Sequence, residues 1–139
     1  MLNTVMVVDD SDADLLYTRL VLERSGAARE VITFDQARAA LEALREPTLR
    51  VDVILLDINM PGMNGFEFLQ AYEAMQRERG NGPVVVMLTS SPDPSDRERA
   101  LAFASVRGYV TKPIDRESAL GLERVLQSAA PGGAGGAAP

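Results

Sequence analysis

Val53–Leu56 and Val84–Leu88 are runs of strand length in which apolar residues follow one another without polar alternation. A strand with one face in water alternates, so an unbroken run points to a strand covered on both faces. Parallel sheets flanked by helices provide that environment. Further short apolar runs stand at Val5–Val8, Val31–Phe34 and, more weakly, Tyr109–Val110. The segments between them carry helical spacing. The expected architecture is α/β, a doubly wound (βα)5 fold with a five-stranded parallel sheet and helices on both faces.

Helix limits follow from capping signals. Ser11 with Asp14 three residues later suits an N-cap, and Leu15, Leu16, Leu20 and Leu22 supply apolar residues up to a stop at Gly26. Asp35 is placed to cap a second helix carrying Ala37, Leu41 and Leu44, closed by Pro47. A third follows Gly65, with Phe66, Leu69, Tyr72 and Met75 inward, and ends near Gly80. Asp93 followed by Pro94 reads as a cap and first helical position of a fourth. Asp115 opens a fifth, with Leu120, Leu122, Val125 and Leu126. From Ala129 the chain reads AAPGGAGGAAP, so residues 1–128 are expected to form the domain and 129–139 a flexible tail.

Each residue with evident chemistry falls at the carboxyl end of one of these strands: Asp9 and Asp10 after the first, Asp57 after the third, Thr89 at the fourth and Lys112 after the fifth. In open α/β sheets ligands bind in the crevice beyond those ends, so the five residues are candidates for one site. Three carboxylates brought together repel one another unless a cation compensates. A hard divalent ion with oxygen ligands answers that need, and Mg²⁺ suits one or two carboxylates with waters and phosphate oxygens. An Asp carboxylate can accept a phosphoryl group, with an ammonium and a hydroxyl as partners for its oxygens.

Composition removes other chemistries. The chain has no cysteine and no histidine, which excludes disulfides, thiolate sites, His-ligated zinc and Ser-His-Asp catalysis. A net charge of −6 argues against a nucleic-acid partner or an anionic membrane surface. The first ten residues lack a positively charged leader region and no apolar stretch approaches membrane-spanning length, so a cytoplasmic protein is expected.

VVDD at 7–10, DINMPGMNG at 57–65, LTSS at 88–91 and GYVTKP at 108–113 together resemble the receiver domain of two-component response regulators, over roughly residues 4–128. The resemblance is to the stand-alone type typified by the chemotaxis response regulator, with the flavodoxin-like fold. It implies that Asp57 is phosphorylated by a histidine kinase or histidine phosphotransfer protein in a Mg²⁺-dependent reaction. It further implies that Asp10, Asp57 and the backbone carbonyl of Asn59 ligate the metal, with Asp9 acting through water. Thr89 and Lys112 would bind phosphoryl oxygens, Thr89 and Tyr109 would switch together, and the Lys112–Pro113 peptide would be cis. Such a domain signals through protein contacts to a downstream protein, homodimerisation being one form this can take, and is not an enzyme beyond its own phosphorylation and dephosphorylation.

The chain departs from the commonest receiver pattern at Ser105-Val106, expected at the end of the fourth helix where many receivers have Gly-Ala, and at the proline-rich stretch 90–96. Asn59 and Ser91 match positions that tune phosphoryl lifetime. Asp12 and Asp14 read as complements of the first helix's dipole. Two rival functions remain: a receiver-fold binding module that is never phosphorylated, and a haloacid-dehalogenase-like phosphatase. The second needs an acid two residues after its nucleophile, where this chain has Asn59.

Overall fold

A computed structural model describes residues 1–80, 82–90 and 93–127. The tail expected at 129–139 and the Ser91 position lie outside the described residues. Strands and helices alternate as β1 (Leu2–Val8), α1 (Asp12–Ser25), β2 (Ala28–Phe34), α2 (Ala37–Leu44), β3 (Val53–Leu56), α3 (Gly65–Arg79), β4 (Val84–Thr89), α4 (Pro94–Leu101), β5 (Val106–Thr111) and α5 (Arg116–Gln127). The sheet has five strands in the order β2-β1-β3-β4-β5, every pairing parallel.

The two unbroken apolar runs became the two most enclosed strands. All residues of β3 and β4 are buried. Successive side chains point to opposite faces, and each face has its own core. Met6, Val8, Ile54, Leu56, Val85 and Met87 pack with Ala40, Leu41 and Leu44 of α2 and Phe68, Leu69 and Tyr72 of α3. Val5, Val7, Val53, Leu55, Val86 and Leu88 pack with Leu15 and Leu22 of α1 and Ala119 and Leu122 of α5.

Caps set the helix starts. Ser11 has extended backbone and its hydroxyl accepts the Asp14 N–H, while Gly26 closes α1 in the left-handed conformation. Asp93 caps α4 with Pro94 behind it. The Asp115 carboxylate accepts the Ser118 N–H at the head of α5. At α3 Asn64 and Glu67 form a reciprocal capping box.

Four expectations need correction. Asp35 does not cap α2: the extended cap position is Gln36, whose side chain makes no capping bond, because the helix starts one residue later. On α1 the sheet-facing stripe is Leu15, Thr18 and Leu22. Leu16 and Leu20, one or two positions off that stripe, are exposed to 59% and 36%. On α5 Ala119 and Leu122 turn inward whereas Leu120 and Leu126 are exposed. Ser105-Val106 is not the end of the fourth helix: α4 ends at Leu101, and Val106 opens β5 at the end of the sheet away from the acids. There the Ser105 N–H and hydroxyl both donate to Glu73 Oε2 on α3, at 2.7 and 2.6 Å.

Candidate functional site

The strand order reverses direction between β1 and β3. The chain leaves β1 for β2 on one side, then crosses back to β3 on the other. A crevice opens beyond the carboxyl ends of strands at such a switch point. Val8 and Leu56 are register partners, so the next residues, Asp9 and Asp57, emerge side by side. Backbone bonds hold both: the Asp57 N–H donates to the Val8 carbonyl and the Asp9 N–H to the Phe34 carbonyl, each at 3.0 Å.

Asp9 and Asp57 are buried, Asp10 is exposed, and the three offer carboxylate oxygens within 4.8 Å of one another. Asp9 Oδ1 also accepts the Ser11 N–H at 3.0 Å, which ties the acid pair to the cap of α1. Gly65 supports Asp57 from behind. Its N–H donates to the Ile58 carbonyl at 2.8 Å. A Cβ there would stand 2.7 Å from the Asp57 carbonyl oxygen and 2.9 Å from the Ile58 Cα, so this close approach admits only glycine without backbone movement.

Lys112 reaches the acids from β5. Its N–H donates to the Thr89 carbonyl at 2.8 Å, and the peptide to Pro113 is cis. The ammonium lies 2.5 Å from Asp9 Oδ2, 2.8 Å from Asp14 Oδ2 and 3.6 Å from Asp57 Oδ1. Burial alone would lower its pKa, but the bonds to Asp14 and Asp9 and the Asp57 charge outweigh burial and leave it raised. The Asp57 carboxyl is pushed up to about 6, first by burial and then by the Asp9 charge, against the pull of Lys112.

One ammonium therefore faces several carboxylates and leaves their repulsion incompletely compensated. The donors are all oxygen, they converge, and they carry excess negative charge. That set fits a hard divalent cation such as Mg²⁺.

Thr89 is fully buried at the end of β4. Tyr109 is half-buried on β5 opposite Met87, two ladder positions before the Thr89–Thr111 pair, with the Arg97 guanidinium 5.6 Å from its ring centre. Asn59 is exposed in the loop after Asp57. The fold thus gathers Asp9, Asp10, Asp57 and Lys112 and joins Thr89 to Lys112 through the backbone, whereas Tyr109 stands farther down the edge strand.

Asp14 and Gly65 were underestimated from sequence. Asp14 does lie in the first turn of α1, but it also holds Lys112. The available signal was its place on the turn nearest the acid pair.

Residues 5–121 match a family model described as the response regulator receiver domain. The chain is 34% identical over 110 residues to the sensor histidine kinase GacS of Pseudomonas protegens, covering 79% of this chain but only 12% of that kinase. It is 28% identical over 116 residues to Protein PilH of Pseudomonas aeruginosa, covering 84% of this chain and 90% of PilH. Its backbone is similar to the chemotaxis response regulator CheY4 of Vibrio cholerae, with a TM-score of 0.73 and 32% identity over 90% of this chain and 99% of that one.

Proposed function

The chain belongs to the response regulator receiver family of two-component systems, and on that premise we propose that Asp57 accepts a phosphoryl group from a phosphohistidine donor. The observation that carries this reading is the buried Asp57 carboxylate, placed beside Asp9 and Asp10 with the Lys112 ammonium 3.6 Å from its oxygen.

With a pKa of about 6, Asp57 is roughly nine-tenths ionised at pH 7, so it is available as a nucleophile. Its carboxylate oxygen forms a bond to phosphorus as the P–N bond of the donor breaks. The donor imidazole leaves with the electron pair and takes a proton from water. Lys112 balances charge on the phosphoryl oxygens and the Thr89 hydroxyl donates to one of them. Asp9, Asp10 and Asp57, with the Asn59 backbone carbonyl, would hold Mg²⁺, which when bound supplies positive charge to the acceptor and to the transferring group. The new group carries about −2 charge and three strong acceptors, enough to draw Thr89 toward it. Tyr109 then repacks on the edge strand, and the altered surface of α4, β5 and α5 passes the signal to a downstream protein.

Intact mass after incubation with acetyl phosphate tests this. The expected result is a Mg²⁺-dependent gain of about 80 Da, one phosphoryl group, in the parent and none in Asp57→Asn. A parent that gains no mass and binds no beryllofluoride would overturn the reading.

A further inference from the structure

The Lys112 ammonium is shared between two acids in unlike settings. Asp9 is 1% exposed, while the Asp14 side chain, 2.8 Å from the same nitrogen, is 45% exposed. An ammonium offers three donors, and here the Asp57 oxygen, at 3.6 Å, lies beyond hydrogen-bond reach. Two of the three donors face these acids, so a group arriving on Asp57 can take the third directly and must win any second donor from one of the acids. The bond to Asp14 is the one that yields, because water can replace it, whereas freeing Asp9 would strand a buried charge.

Asp14 also lines a cleft beside Lys112. This cleft of about 260 Å³ is lined by Asp14, Tyr17, Thr18, Ser90, Lys112 and Pro113. With its oxygen 2.8 Å from the Lys112 nitrogen, the Asp14 carboxylate repels an anion that approaches that ammonium.

We propose that Asp14 is a positioning and specificity-determining residue for phosphoryl transfer: it holds the Lys112 ammonium on the outer side of the site and disfavours small, highly charged phosphodonors. This rests on the phosphoacceptor reading of Asp57. The two effects act in one direction. Removing the carboxylate frees a donor of Lys112 for the phosphoryl oxygens and removes a repulsive charge from beside that ammonium. A unit charge acting across several ångströms of water on a doubly charged donor changes its rate about two- to five-fold at low salt, and salt screens the effect.

Two small donors separate these contributions from a structural role. Acetyl phosphate is a dianion at neutral pH, and its P–O bond to acetate breaks as the Asp57 oxygen bonds to phosphorus, acetate leaving with the electron pair. Phosphoramidate is a singly charged zwitterion, and its P–N bond breaks with ammonia leaving. Phosphorylation rates of the parent, Asp14→Asn and Asp14→Glu would be measured with both donors at low and high ionic strength, alongside the Lys112 ζ-nitrogen NMR signal. Asp14→Asn is expected to react about two- to five-fold faster with acetyl phosphate, less so with phosphoramidate, with the gain fading at high salt and the Lys112 signal shifted. Asp14→Glu is expected to stay near the parent. An Asp14→Asn rate equal to the parent's, or a gain independent of donor charge and salt, overturns the role of Asp14 alone. A parent that takes no phosphoryl group from either donor overturns the functional reading and this role with it.

Discussion

The Lys112 ammonium lies 2.5 Å from Oδ2 of Asp9, a carboxylate with 1% of its surface exposed. This contact supplies the main counter-charge to a buried acid, and breaking such a pair from one side costs more than the pair contributes. Lys112→Met is expected to lower stability by about 3 kcal/mol without divalent metal, and Mg²⁺ to recover part of the loss. Urea unfolding with EDTA and with excess Mg²⁺ checks both. Equal stability of the two proteins in EDTA would refute it.

Asp57 gives the metal-free protein a pH dependence of defined sign. Its folded pKa of about 6 exceeds the ordinary 3.8, so between those values the folded chain keeps a proton that the unfolded chain releases. Stability therefore falls as pH rises from about 4 to about 6 and is flat in this respect above, with a total near 3 kcal/mol. Unfolding of the parent and Asp57→Asn in EDTA across this range should show the parent's slope and a flatter variant.

Gly65→Ala tests the support behind Asp57. The new methyl would meet the backbone of Asp57 and Ile58, which cannot swing aside as a side chain could. Overpacking of this kind costs about 2 kcal/mol, partly offset by alanine's better helix propensity. The expected outcome is a lower melting temperature together with slower phosphoryl uptake, since the collision falls on the acceptor's own backbone. Normal uptake would show that the loop relaxes freely.

Helix α4 is held differently from its neighbours. Ala100 is its one buried residue, against Gly65, Phe66, Phe68, Leu69 and Tyr72 on α3. Two cationic contacts also attach it: Arg97 over Tyr109, and Arg99 over Phe66 at 4.0 Å. Amide hydrogen exchange should be faster in α4 than in α3. Arg99→Ala should speed it roughly two- to five-fold, the equivalent of a cation–π contact of 0.5–1 kcal/mol.

The sequence revealed most where a single residue type has few options. The apolar run Val53–Leu56 coincides with β3, and Val84–Leu88 falls one residue short of β4. Strands β1, β2 and β5 extend beyond their apolar runs through Asn3, Arg29, Glu30 and Arg107, whose polar side chains gave no strand signal. Helix faces were harder. Counting leucines on α1 and α5 found the buried Leu15, Leu22 and Leu122 but also the exposed Leu16, Leu20, Leu120 and Leu126, because orientation follows the 3.6-residue period and Thr18 and Ala119 complete the buried stripes. The acids and Lys112 were legible because strand ends in this topology converge. The bond from Lys112 to Asp14 spans 98 residues and depends on where α1 starts, so no local pattern encodes it.

The order of the strands divides the site mechanically. Asp9 and Asp57 follow inner strands β1 and β3, each with a neighbour on both sides, whereas Lys112 follows the edge strand β5, which has one neighbour and a register irregularity at Val85/Val86 of β4. The acids thus form the fixed jaw of a vice and the lysine its sliding jaw. A ligand held between them would meet less resistance from the edge of the sheet than from its centre. Repeated loading and release can then proceed without disturbing the core that keeps the chain folded.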